Sequence, residues 1–184
     1  MVAQLVIKLL GLVYRLAITN IHGFGDLGNG YYSAGYQVYA VLLVLSSQGI
    51  PGAVSKLVSE RTALGEYNNA HRVFKISLVV FGAIGLACSF LLYFGADVIA
   101  GNIMHVPPVA YVLRVLAPAI FFVCVSAVVR GYFAGLGTMG ASSISQSLEQ
   151  FFNCVLTILF VYATIGRDAY IMAAAGNVST TLAV

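Results

Sequence analysis

Residues 76–96 of this chain contain no charged side chain. A helix needs about 20 mostly apolar residues to cross the hydrocarbon core of a bilayer, and this stretch has that length. Gly82, Gly85 and other small residues within it allow neighbouring helices to pack closely. The stretch therefore predicts a membrane-spanning helix.

Charged residues are also scarce in the rest of the chain. They make up 8% of its 184 residues, and the mean hydropathy is +0.95. Because a soluble domain carries roughly a quarter charged residues, this composition excludes a water-soluble globule. The nine Lys and Arg residues, set against six Asp and Glu, are too few for a nucleic-acid interface, so no nucleic-acid partner is expected.

Charges and turn-forming residues divide the chain into six apolar segments of about spanning length. The predicted spans are residues 2–21, 31–50, 76–96, 109–129, 144–165 and 169–184. Glycines in 21–30 form a turn between the first two, Pro51 ends or kinks the second, and Pro118 predicts a kink in the fourth. The expected fold class is an all-α, polytopic membrane helix bundle without a second domain.

The stretch 56–75 is the only charge-rich part of the chain. It predicts a cytoplasmic loop with two short amphipathic pieces at the membrane surface, separated near Gly65. This loop holds four Lys and Arg residues and Arg130 opens the connection after the fourth segment, whereas 21–30 and 97–108 hold none. Cytoplasmic loops are enriched in Lys and Arg, so we expect a cell-membrane protein with a cytoplasmic N-terminus.

Two cations lie inside the first predicted span. Lys8 and Arg15 are seven residues apart and so fall within about 20° of each other on one helix face. The polar or small residues that continue this stripe are Gln4, Gly11, Thr19 and His22. Lys8 could extend to the headgroups, but Arg15 is too central for this and should face a protein interior or a watery cavity.

A second polar stripe lies on the fifth predicted span. Its members at helical spacing are Gln146, Glu149, Gln150, Asn153 and Thr157. Glu149 could pair with a cation or relay protons in a cavity. The alternative is that the amides and hydroxyls join neighbouring helices and that Glu149 lies near the interface.

Two arginines flank the fourth predicted span. Arg130 is expected to anchor the helix at the membrane interface. Arg114 lies about one and a half turns into the helix, where a cavity role and a structural role are equally compatible with the sequence.

Three tyrosines share one face of the second predicted span. Tyr32, Tyr36 and Tyr39 are spaced at i, i+4 and i+7. Such a face could stack on sugar rings or organic cations. Tyr32 also suits an aromatic belt at the interface, and the sequence leaves Tyr36 and Tyr39 open between the two.

The sequence predicts no metal, no cofactor and no enzyme activity. Cys88, Cys124 and Cys154 are far apart, and the three histidines lack ligand spacing. The glycine-rich stretch 131–140 lacks the Lys and Ser or Thr of a phosphate-binding loop. No nucleophile, base and orienting group occur together, so no catalytic residue is predicted.

Five strings, in order along nearly the whole chain, resemble one family. They are KLLGLVYRLAITNIHG at 8–23, SSQGIPGAVSKLVSE at 46–60, the Gly-Glu-Tyr-x-x-Ala-x-Arg run at 65–72, LAPAIFFV at 116–123 and RGYFAGLGTMGASSISQSLEQ at 130–150. They resemble the polysaccharide-transport and stage V sporulation protein B group of the multidrug/oligosaccharidyl-lipid/polysaccharide flippase superfamily. That group is similar to lipid II flippases.

The resemblance implies a fold of two six-helix lobes plus two further helices, with a V-shaped cavity that opens alternately to each side. This chain matches the first lobe, so residues 1–184 are expected to be an N-terminal lobe that lacks its C-terminal partner lobe. In lipid II flippases, basic residues of the first helix contribute to the cavity, and Lys8 and Arg15 occupy the matching positions. An acidic position that some relatives have after the first loop is replaced here by Gly28, Asn29 and Gly30.

The leading hypothesis is a transporter that flips an anionic lipid-linked saccharide precursor to the outer leaflet. The candidate cavity residues are Lys8, Arg15, Tyr36, Arg114, Glu149 and Asn153. The expected partners are the lipid bilayer, the lipid-linked saccharide and the C-terminal lobe. Two alternatives are a cation-coupled multidrug exporter of the same superfamily and a non-transporting scaffold for envelope or sporulation assembly.

Overall fold

The computed structural model describes residues 11–12, 24–47 and 49–183. Apart from the helical pair Gly11 and Leu12, it contains six α-helices. They are α1 (Gly25–Ser47), α2 (Ile50–Ala63), α3 (Tyr67–Val98), α4 (Val109–Gly135), α5 (Met139–Ala163) and α6 (Ala169–Ala183). A short π-helical stretch, Ile99–Ile103, continues α3. The described residues include no β-strand, which confirms the all-α fold class.

Five predicted spans correspond to described helices, namely α1 and α3 to α6. The first predicted span, 2–21, lies outside the described residues except for Gly11 and Leu12. The turn predicted at 21–30 is wrong over its second half, because α1 already begins at Gly25. Gly28 donates a backbone hydrogen bond to Phe24, and its missing side chain makes room for the Phe24 ring, which a Cβ would approach to 2.8 Å.

The charge-rich stretch 56–75 forms a helix end, a tight turn and a helix start. Pro51 lies in the first turn of α2, where a missing amide hydrogen costs no hydrogen bond, so the proline begins a helix here. Gly65, at φ +74°, ends α2: its N–H donates to Thr62 and that of Glu66 donates to Arg61. The predicted break at Gly65 is therefore confirmed, but the second piece is the first part of the 32-residue helix α3.

The turn between α2 and α3 is held by side chains as well as by the backbone. Asn69 and Arg61 both donate hydrogen bonds to the Glu66 carboxylate, at 2.9 and 3.1 Å. These hydrogen bonds lower the pKa of Glu66, with Asn69 contributing most. The carboxylate thus stays charged and keeps the turn closed.

Helix α2 packs directly against the C-terminal half of α4. A Cβ at Gly131 would lie 2.9 Å from Val54, and one at Gly135 would lie 2.7 Å from Val58. This spacing of small residues lets the two backbones approach closely. Because residues four apart on both helices meet in the same order, α2 and α4 run parallel, and the turns 64–66 and 136–138 lie at the same end of the bundle.

Helix α4 is the central helix of the described bundle. It contacts α1, α2, α3 and α6, and Leu113, Leu116 and Ile120 on it are fully buried. Pro118 lies inside this helix and removes one of its backbone hydrogen bonds. One turn earlier, the Val115 carbonyl accepts a hydrogen bond from the Thr181 hydroxyl of α6, a common way to satisfy a backbone near proline in a membrane helix.

Three described helices are long and apolar enough to cross a membrane: residues 67–103, 109–135 and 142–163. Helix α1 has the length but carries several Tyr, Gly and Ser residues, and α6 has 15 residues. Many large apolar side chains of α3 point outward, including Leu91 and Phe94, which are 62% and 74% exposed. Only lipid makes such an apolar exterior stable, so the chain is a multi-pass membrane protein.

Candidate functional site

An enclosed ion pair joins α4 to α5. The Arg130 guanidinium donates to the Glu149 carboxylate at 2.5 Å, and the two side chains are only 19% and 26% exposed. The Arg130 Nε atom is buried and has no hydrogen-bond partner within the described part of the chain. Arg130 lies five residues before the end of α4, about 8 Å along its axis. The predicted interfacial anchor is therefore also the cation with which Glu149 pairs.

The polar stripe of α5 continues into a hydrogen-bonded network with α6. Ser179 donates to the Asn153 carboxamide oxygen at 2.9 Å, and Thr157 donates to the same oxygen at 3.0 Å. The two hydroxyls also contact each other and are fully buried. Asn153 thus lies where a neighbouring helix satisfies its side chain, which matches the alternative that these groups join helices.

Helix α6 carries polar residues that the sequence analysis did not select. Asn177 is fully buried and donates to the Ala173 carbonyl, and Ser179 completes the network with α5. Thr180 is 7% exposed. These three residues fall in the four-residue stretch 177–180 of an otherwise apolar segment. Such a cluster of polar residues is the signal that could have identified them.

One described residue of the first predicted span, Gly11, lies near the polar stripe of α5. A Cβ at Gly11 would lie 3.9 Å from the Gln150 Nε2 atom, which is ordinary van der Waals contact. Gln150 follows Glu149 in α5, but consecutive helical residues point about 100° apart, so this approach places Gly11 beside the amide part of the stripe. Gly11 is also a member of the stripe predicted to contain Lys8 and Arg15, and those two residues lie outside the described residues.

The tyrosines of α1 line the same region from another direction. The Tyr36 ring stacks on Tyr32 at 6.5 Å and meets Tyr39 at 5.6 Å between ring centroids. Tyr32 and Tyr39 are buried, whereas Tyr36 is 43% exposed. A Cβ at Gly176 of α6 would lie 3.4 Å from the Tyr32 ring, so the tyrosine face borders α6. Tyr36 is its accessible member.

The structure places Arg114 away from the other candidate residues. Its guanidinium donates to Asp97 at 2.5 Å, with 40% and 65% of the two side chains exposed. Arg114 and Arg130 are 16 residues apart on α4, which corresponds to about 24 Å of rise and roughly 160° of rotation. Arg114 instead borders an outer groove between α3 and α4, of about 280 Å³, together with Phe90, Tyr93 and Pro118.

The described residues contain no group of three or more His, Cys, Asp and Glu side chains that could hold a metal ion. Cys88, Cys124 and Cys154 form no disulfide bond with one another and lie in helices. The chemistry that the arrangement offers is that of charge pairing, hydrogen bonding and aromatic stacking.

Outward-facing apolar helices that enclose an ion pair, amides, hydroxyls and a tyrosine face define a multi-pass membrane protein with a polar interior. The chain belongs to the polysaccharide biosynthesis protein family, whose model matches residues 1–184. This finding confirms the resemblance to the flippase superfamily.

Three proteins of Bacillus subtilis (strain 168) are similar to this chain. Lipid II flippase MurJ is 30% identical over 162 residues, which are 84% of this chain and 29% of MurJ. Stage V sporulation protein B is 30% identical over 189 residues, which are 98% of this chain and 36% of that protein. The uncharacterised membrane protein YabM is 32% identical over 156 residues, which are 85% of this chain and 28% of YabM. The chain thus spans about a third of the length of these relatives, and no solved structure matches it significantly.

Proposed function

We propose that this chain is the N-terminal lobe of a transporter that flips an anionic lipid-linked saccharide precursor from the inner to the outer leaflet by alternating access. The observation that carries the proposal is the approach of Gly11 to Gln150, whose Nε2 atom would lie 3.9 Å from a Cβ at Gly11. It supports an arrangement in which the cationic stripe of the first helix faces the polar stripe of α5 across one cavity.

The position of Gly11 within its helix connects this contact to Lys8 and Arg15. Lys8 is three residues before Gly11 and Arg15 is four residues after it, a spacing that would place all three on one face of a continuous helix. A cation at the centre of a span costs about 2.5–3.5 kcal/mol on insertion scales, so such residues are expected to face a polar interior. There they would neutralise the diphosphate of the substrate, because charged hydrogen bonds to phosphate oxygens are strong in a medium of low dielectric constant.

The remaining candidate residues suit the saccharide better than the diphosphate. Tyr36 exposes an aromatic ring that can stack on a sugar, and Gln150 supplies an amide, whereas the carboxamide oxygen of Asn153 is engaged by Thr157 and Ser179. The lipid tails would stay in the bilayer while the polar head moves. Rocking of this lobe against a second lobe would exchange access between the two sides. Arg114 is left out of this cavity because of its distance from the other residues.

The positions of the exposed cations support a cytoplasmic N-terminus. The turns 64–66 and 136–138 lie at the same end of the bundle, with the exposed Arg61 and Arg72 and the enclosed Arg130 near them, whereas the exposed Arg167 lies in the turn after α5. The positive-inside rule assigns that end to the cytoplasm. In this orientation the enclosed ion pair lies near the cytoplasmic mouth of the cavity, where the substrate enters.

The two alternatives receive less support. A cation-coupled exporter of organic cations needs a carboxylate in the cavity, and Glu149, the candidate, is engaged by Arg130. A non-transporting scaffold gives no reason for cations inside the first span.

Replacing both first-helix cations tests the proposal. We expect Lys8→Gln combined with Arg15→Gln, in the full-length protein in liposomes, to slow translocation of a fluorescent lipid-linked saccharide at least about tenfold, as expected when two charge-assisted phosphate contacts are lost. The matched control is Lys56→Gln with Arg72→Gln, which removes two exposed cations. Unchanged translocation in the first variant would refute the role of the two residues.

A further inference from the structure

We propose that the Arg130–Glu149 pair is a latch that the anionic group of the substrate opens, so that Arg130 becomes an additional anion-binding residue of the cavity. This inference rests on the proposed function and deepens it. In this proposal Arg130 binds Glu149 when the cavity is empty, and it binds the diphosphate when the cavity holds the substrate.

The geometry of the pair leaves Arg130 free to bind a second anion. A guanidinium has five N–H donors, and the contact with Glu149 at 2.5 Å involves one terminal nitrogen. The Nε atom is buried and has no partner within the part of the chain that the structure describes. A phosphate group matches the planar donor fork of arginine better than a single carboxylate oxygen does.

The packing of α5 suggests how the latch can open. Helix α5 packs along α6, where the Val161 side chain meets Gly176 and Thr157 meets Ser179, but it makes few contacts with α4. The Arg130–Glu149 pair is therefore a principal tie between α4 and α5. Exchange of the Glu149 carboxylate for a ligand would loosen this tie without disturbing the core around α4.

The position of the pair connects it to the other proposed cations. Glu149 precedes Gln150, whose Nε2 atom lies near Gly11 of the first predicted span. Arg130 lies about 8 Å along the helix axis from the end of α4 that is assigned to the cytoplasm. A diphosphate that enters from this side would meet Arg130 before it reaches the centre of the membrane.

The latch has a measurable thermodynamic consequence. A ligand that binds only the open form has an apparent dissociation constant equal to its intrinsic value divided by the open fraction. If Glu149 keeps Arg130 occupied about 90% of the time, it weakens ligand binding about tenfold. Removing the carboxylate charge while keeping the shape of the side chain should restore the intrinsic affinity.

The test is a double-mutant cycle on ligand binding by the full-length protein in nanodiscs of zwitterionic lipid. The probe is undecaprenyl diphosphate, and undecaprenol is the uncharged comparison. We expect Glu149→Gln to tighten binding of the diphosphate about tenfold and Arg130→Gln to weaken it by a similar factor. In the Arg130→Gln background, Glu149→Gln should have no effect, and no variant should change binding of undecaprenol.

The control is Asp97→Asn, which removes the carboxylate of the exposed pair with Arg114 and should leave diphosphate binding unchanged. Unchanged or weaker binding by a folded Glu149→Gln variant would overturn the latch, as would an equal gain in the Arg130→Gln background. If Glu149→Gln does not fold, the deciding variant is Arg130→Lys. It removes the planar donor fork, so the latch requires it to weaken diphosphate binding, and unchanged binding would overturn the latch. If the variant with Lys8→Gln and Arg15→Gln loses diphosphate binding while Glu149→Gln shows no gain, the latch is contradicted but the proposed function is not.

Discussion

The three ion pairs of the described residues differ in burial and therefore in what they contribute. Arg61–Glu66 and Arg114–Asp97 have side chains that are 40% or more exposed, and solvent screens such pairs, so they contribute little to stability. Arg130–Glu149 is half as exposed and lies between two helices. Arg130 and Glu149 were each identified from the sequence as residues of interest. Their pairing could not be predicted, because it depends on how α4 and α5 pack.

The buried hydroxyl of Ser179 provides a residue-scale prediction. Ser179→Ala removes the donor to Asn153 and the contact with Thr157, and we expect it to lower the free energy of unfolding by about 0.6–1.7 kcal/mol, the range of hydrogen bonds between membrane helices. The measurement is reversible unfolding in mixed micelles. Ser59→Ala is the matched control, because Ser59 makes the same type of bond to the backbone three residues earlier but is exposed. Equal effects of the two variants would contradict the buried network.

At the scale of elements, the spans were easier to predict than their ends. The apolar runs locate α3, α4 and α5 because each must match the thickness of a bilayer. The start of α1 was misplaced because glycines usually form turns, whereas here Gly28 makes room for Phe24 within a helix. The sequence of α2 did not predict that this helix packs on α4, because its charged residues indicated a surface loop and drew attention away from the apolar pair Val54 and Val58.

The close contact between α2 and α4 predicts that alanine substitution affects stability differently at two glycines. A Cβ at Gly135 would lie 2.8 Å from the Ser55 carbonyl oxygen, so Gly135→Ala should destabilise the protein by about 1–3 kcal/mol through overpacking. A Cβ at Gly140 in α5 would meet nothing within 4 Å, so Gly140→Ala should be neutral or stabilise the helix by up to about 1 kcal/mol. Thermal unfolding of both variants in detergent is the measurement. Tolerance of alanine at position 135 would mean that α2 does not approach α4 so closely.

At the scale of the whole molecule, charge placement and helix packing agree. The exposed cations Lys56, Arg61, Arg72 and Lys75 lie on the two helices that the turn 64–66 joins, whereas Arg114 and Arg167 lie towards the opposite end. The buried polar residues of α5 and α6 hydrogen-bond across the contact between those two helices. The sequence predicted both stripes because helical periodicity is a local property. It could not predict that Ser179 would hydrogen-bond to Asn153, or that Arg114 would pair with Asp97 far from Arg130 and Glu149.

The central claim is that the cationic face of the first helix meets the polar stripe of α5, and cross-linking of Gly11→Cys with Gln150→Cys tests it most directly. In a full-length protein without its native cysteines, we expect a short bismaleimide to join this pair at least about tenfold faster than the pair Leu12→Cys and Gln150→Cys, because consecutive helical residues point about 100° apart. Leu12 is 60% exposed and so remains available to the reagent. Addition of undecaprenyl diphosphate should slow the reaction at position 11. Equal or faster cross-linking from position 12 would contradict the account, because Lys8 and Arg15 would then face away from the polar stripe.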